Sequence, residues 1–135
     1  MDAVSWKAIL IGWGIDTAAT LKFLIGLFLF IGIYYAVSGN LENLDEVFNS
    51  KDILVYLVSF GLLFTVVGGY AAAHIAGQRE IFHSAMVGVL SVLSGIACSR
   101  VGSEPVPMDW IMILSYVLTI PAAILGGFIR ARRIA

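Results

Sequence analysis

Asp16 is the residue of this 135-residue chain best placed to do chemistry, because it stands within a long apolar run. A carboxylate at the centre of a bilayer costs ~2.5–3.5 kcal/mol on insertion scales, so an acid kept there points to a task, such as holding a cation or carrying a proton. Gly12 and Ala19 lie four residues before it and three after. Those steps keep all three on one helix face and turn Asp16 into the protein. Counted from Lys7 at 1.5 Å per residue, Asp16 lies ~13 Å deep, near the midplane. Thr17 and Thr20 stand within local hydrogen-bonding range. Lys22 is about a third of a turn round the helix and ~9 Å along it, too far for a close pair, and its long stem can snorkel to an interface. Two plainer readings compete. One is a buried acid satisfied by Arg79, Arg130, His74 or His83 from a neighbouring helix. The other is an interfacial acid, if the run bends near Gly12 and Gly14.

His74 and His83 flank a short polar stretch, with Glu80 between them. Two imidazoles and a carboxylate are metal-ligand types. Spacing across a helix break does not make them converge, so no metal and no cofactor are assigned. The three join Asp16, Thr20 and Lys22 as candidates for an ion, proton or substrate site. Ser84, Ser91 and Ser94 have no base at helical spacing and read as packing residues. Cys98 is the only cysteine, and beside Ile96 and Ala97 it reads as buried packing. The chain carries no nucleophile motif, phosphate-binding glycine loop or Cys-x-x-Cys pair, and it is read as a non-enzyme.

The elements that must position these groups are four apolar runs, at 8–37, 53–76, 81–99 and 108–129, with a polar loop at 38–52. Crossing a hydrocarbon layer ~30 Å thick takes ~20 residues of helix, and each run is near that length or longer. Hydrophobic residues make up 60% of the chain and charged residues 13%, against ~25% charged in a soluble domain. None of the runs keeps the polar face of a helix in a soluble bundle. The expected fold is one all-α integral membrane domain over 1–135, an antiparallel bundle of four transmembrane helices. The first run is longer than the apolar core of a signal peptide and is expected to remain as a span. A net charge of −1 offers no field for nucleic acid.

Lys7, Arg79, Arg130, Arg132 and Arg133 fall on one side of the spans, and Lys51 and Arg100 on the other. The positive-inside rule then puts both termini in the cytoplasm. In the outer loop Leu41, Leu44, Val47 and Phe48 recur at helical spacing, as in a short amphipathic helix lying on the outer surface. Ser50 or Asn49 is expected to cap the second span, and Gly77 to end it in a left-handed turn. Glu104-Pro105-Val106-Pro107 should break the chain before the fourth span, and Pro121 should bend that span.

Small residues recur every three or four positions. The second span has Gly61, Thr65, Gly68, Ala72 and Ala76, and the third has Ser84, Gly88, Ser91, Gly95 and Cys98. The fourth has Ser115, Thr119, Ala122 and Gly126, and the first, less regularly, Gly12, Asp16, Ala19 and Gly26. Helices in lipid associate by close packing at such residues, so Gly68, Gly69, Ala72, Gly88, Gly95 and Gly126 are the expected contact points. Gly68-Gly69-Tyr70 precedes His74, and Gly126-Gly127-Phe128 precedes Arg132 at the same offset. That match hints at two repeated hairpins, an arrangement found in transporters.

The segment Gly68-Gly69-Tyr70-Ala71-Ala72-Ala73-His74-Ile75-Ala76-Gly77, followed by Glu80, His83 and Gly88, resembles a group of small, uncharacterised four-span bacterial membrane proteins. Their second span ends in a Gly-Gly-aromatic…Ala-Gly segment. The resemblance implies a bacterial inner-membrane location and no known activity. Two functions are therefore expected. The first is a structural or accessory bundle that forms a homo-oligomer or binds a larger membrane partner. The second is a small proton- or cation-coupled transporter using Asp16. The lipid bilayer is a partner in both.

Overall fold

The computed structural model describes residues 4–100 and 110–133. In chain order the elements are α1 (Trp6–Ser38), a 3₁₀ turn (Leu41–Asn43), α2 (Leu44–Phe48), α3 (Lys51–Ala76), α4 (Glu80–Ser99) and α5 (Trp110–Arg132). The described residues contain no strand. Helices α1, α3, α4 and α5 are each long and apolar enough to cross a membrane, which makes this a multi-pass membrane protein. The expected break at Glu104–Pro107 lies outside the described residues.

The helix ends follow local chemistry. The Ser5 hydroxyl accepts from the Ala8 N–H at 3.4 Å and caps α1, and the Ser50 hydroxyl does the same for α3 through Ile53. Asn49 acts elsewhere, donating its side-chain amide to the Asp45 carbonyl at 2.8 Å. Gly77 ends α3 with φ 64°, the left-handed conformation that a residue without Cβ adopts freely. Arg79 is also left-handed, at φ 47°, although for a residue with a Cβ this costs about 1–2 kcal/mol. Together they reverse the chain into α4 within three residues.

Helix α1 is a single unbroken helix of 33 residues, ~50 Å long, and it continues through Gly12 and Gly14. It outruns a hydrocarbon layer by ~20 Å. The polar loop folds into the 3₁₀ turn and the short helix α2, whose apolar residues turn inward. Leu44, Val47 and Phe48 are half-buried, and the Phe48 ring meets Phe28 of α1 edge-on at 4.8 Å.

Helix α3 packs on α1, α4 and α5; α4 packs on α5 and, less extensively, on α1; α1 and α5 hardly touch. Most of the core lies at the end of the bundle that holds Ile9, Ala73, Val87 and Ala123, with Ile31 of α1 and Ile111 of α5 buried away from it. Small residues make it tight. A Cβ added to Gly12 would sit 2.7 Å from both the Gly68 carbonyl oxygen and Ala72 Cβ, and one on Gly88 would sit 2.9 Å from Ile120 Cα. Gly69 lies against the Ala123 carbonyl, and Gly126 against that of Val66. Such backbone-to-backbone approach is what small residues permit between helices in lipid. Gly26 and Gly61 have open space where a Cβ would be, so neither belongs to the packing stripe. Cys98 is exposed rather than buried.

Candidate functional site

The three helices that meet at Gly12 also build the surroundings of Asp16. Gly12 of α1 lies against Gly68 of α3 and Val87 of α4. One helical turn from each of these contacts stand Asp16, Thr65 and Ser91, because steps of three and four keep a residue on the same face. The Thr65 hydroxyl lies 3.2 Å from both carboxylate oxygens of Asp16, and the Ser91 hydroxyl donates to Oδ2. Asp16 is only 4% exposed. Its partners are therefore hydroxyls from two other helices. Thr17 and Thr20 of its own helix do not bond it, and neither do Arg79, Arg130, His74 or His83.

Thr65 has a second acceptor, the Gly61 carbonyl at 3.0 Å. A threonine hydroxyl carries one proton and two lone pairs. With Asp16 ionised, that proton serves the carboxylate. With Asp16 protonated, the carboxyl O–H can donate to Thr65 Oγ1 while the Thr65 proton turns to Gly61. Both protonation states are thus satisfied without moving a backbone atom.

Asp16 marks one end of a cavity of about 430 Å³ lined by all four spans. The cavity extends away from the small-residue core, past Phe23 of α1, Leu57 and Leu62 of α3, Cys98 of α4 and Tyr116 of α5. Phe23 is held in place by stacking on Phe60, with centroids 4.4 Å apart, and by an edge contact with Phe64 at 5.8 Å. Ser94, Ser115 and Thr119 also line the cavity. Each gives its proton to a carbonyl of its own helix, and the Ser94 oxygen also accepts from the Trp13 indole N–H at 3.4 Å. Among the described residues Asp16 is the only charged side chain in the lining.

The other candidate residues are distributed differently. Thr20 lines the cavity, whereas Lys22 is exposed and outside the lining. His83 is fully buried at the far end of the bundle. The Ser5 N–H donates to its Nε2 at 3.0 Å, so its Nδ1 carries the proton and donates to the Arg79 carbonyl, also at 3.0 Å. His74 is exposed and stacks on Tyr70. Glu80 is half-buried, and its backbone carbonyl receives the Ser84 hydroxyl at 2.9 Å. Among the described residues no three His, Cys, Asp or Glu side chains converge as metal ligands. The structure therefore does not bring His74, Glu80, His83 or Lys22 to Asp16.

Sequence reasoning missed Thr65 and Ser91 as partners of the acid. Both belong to stripes of small residues, where a hydroxyl is hard to tell from a packing group. No family model, curated protein or solved structure matches the chain.

Proposed function

We propose that this chain is a small carrier in which Asp16 takes up a proton or another cation at the closed end of the cavity. The observation that carries the reading is a nearly sealed carboxylate held only by the hydroxyls of Thr65 and Ser91, with a cavity leading to it. A purely structural acid in a span would be expected to face a fixed basic partner, since an unpaired buried charge is expensive. The two acceptors open to Thr65 also suit a site that gains and loses a proton.

A bacterial inner-membrane location with both termini cytoplasmic, and spans that alternate in direction, complete the proposal. The grouping of Lys7, Arg79, Arg130, Arg132 and Arg133 at one set of helix ends supports it. In that orientation the tight glycine contacts face the cytoplasm and the cavity lies in the outer half. A relation between two hairpins would agree with Gly69 and Gly126 both standing at close backbone contacts between α3 and α5.

The test is flux in reconstituted vesicles under an imposed proton or sodium gradient. Asp16→Asn should abolish the flux of the wild type while keeping its thermal midpoint. Undiminished flux in the variant, or none in the wild type, defeats the proposal. A second reading, an accessory bundle that oligomerises or docks on a membrane partner, draws on the far half of α1. There Leu29, Phe30, Ile33 and Val37 are exposed. Cross-linking in native membranes would report it as a discrete oligomer or adduct.

A further inference from the structure

The cavity has a sidedness beyond its polar end. Its lining comes from four helices, but the exposed lining residues are confined to two of them, Thr17 and Leu21 on α1 and Cys98 on α4. Every lining residue contributed by α3 and α5 is at least half-buried. The mouth therefore lies between α1 and α4, the pair whose contact is weaker than those α3 makes with each of them. Thr17 and Leu21 stand ~16 and ~23 Å along α1, well within a membrane-crossing length. With the spans in a bilayer, that flank would face hydrocarbon.

We infer that the cavity is loaded sideways from the bilayer, and that its ligand is an amphipathic organic cation, a single ammonium group on an apolar body. This rests on the proposed role of Asp16 as the cation site. The lining supplies one carboxylate and no basic residue among the described residues. It therefore matches one positive charge and leaves nothing to neutralise a phosphate or carboxylate on the ligand. Phe23, Leu57, Leu62 and Tyr116 offer apolar and aromatic wall, and aromatic faces attract ammonium groups. About 430 Å³ falls within the ~300–1,000 Å³ range of small-molecule sites. A bare inorganic ion would want a tighter shell of oxygens and has no affinity for the hydrocarbon that borders the mouth.

The experiment uses the full chain in phosphatidylcholine nanodiscs with benzyldimethyloctylammonium as the probe. Saturable binding is expected, weakened about tenfold or more in Asp16→Asn, the scale of a lost hydrogen bond to a charged group. Tetramethylammonium, which has the head without the body, should compete at least about tenfold more weakly. In the wild type, bound probe should slow N-ethylmaleimide modification of Cys98 severalfold, a measurement that needs no variant to fold. Equal binding by Asp16→Asn, equal competition by tetramethylammonium, or no protection of Cys98 overturns the inference. Asp16-dependent proton or sodium flux with no probe binding sinks the ligand class and leaves the carrier. Probe binding without any Asp16-dependent flux sinks the carrier and leaves the site.

Discussion

The Thr65 hydroxyl stands 3.2 Å from both oxygens of Asp16 and 3.0 Å from the Gly61 carbonyl, so one proton has acceptors on two helices. Thr65→Val preserves shape and removes that proton. The carboxylate would keep only Ser91, and leaving a buried acceptor short of a donor costs about 1–3 kcal/mol. Thr65→Val should lower the thermal midpoint and depress Asp16-dependent flux, and Thr65→Ser should restore both. Equal behaviour of the valine and serine variants would mean that the hydroxyl has no part in the site.

The contact between Gly12 and Gly68 leads to a second expectation. A Cβ on Gly12 would meet the Gly68 carbonyl oxygen and Ala72 Cβ at 2.7 Å each, and both neighbours belong to rigid helix. Gly12→Ala should destabilise by about 1–3 kcal/mol, the usual cost of overpacking. Gly14 and Gly26 have open space at the same point, so alanine there should be neutral or stabilise by up to about 1 kcal/mol through helix propensity. Thermal unfolding of the three variants in detergent separates the two cases.

His83 and His74 differ sharply despite their similar setting in the sequence. His83 uses both ring nitrogens, tying the start of α1 at Ser5 to the left-handed Arg79. His83→Leu leaves the part-buried Ser5 amide unpaired and empties a fully buried site, and should cost about 1–3 kcal/mol. His74→Leu, at an exposed site, should stay within about 0.5 kcal/mol. Equilibrium unfolding of each variant checks the contrast, and equal losses would remove the clasp from the account.

Gly95 controls the shape of the cavity wall. A Cβ there would lie 3.0 Å from Tyr116 Cε1, and a ring can swing where backbone cannot. Gly95→Ala should therefore move Tyr116 and narrow the cavity, with a stability change under about 1 kcal/mol. The expected readout is a selective loss of flux or binding for larger cations over smaller ones. A uniform loss across sizes would indicate a general packing defect.

The sequence could be read for class, span number and caps because each depends on neighbours along the chain. Four runs of span length place α1, α3, α4 and α5 within a few residues, and Ser50 and Gly77 act as their local chemistry demands. Asp16 was visible for the same reason, as one charge in an apolar run. Its partners were not visible. Charge complementarity points to Arg79, Arg130, His74 or His83, but what reaches Asp16 depends on which residues lie one turn from the Gly12 contact.

Composition and the lengths of the apolar runs by themselves determined that this chain has four helices long and apolar enough to cross a membrane, with an acid in the first. They act through the length of a helix and the cost of exposing polar groups to lipid, both one-dimensional quantities. Tertiary structure alone decided that Thr65 and Ser91 hold Asp16, that His83 anchors the opposite end, and that a cavity opens between α1 and α4. Those outcomes follow from where glycines let backbones touch and where the helices diverge, a matter of three-dimensional approach that residue spacing does not encode.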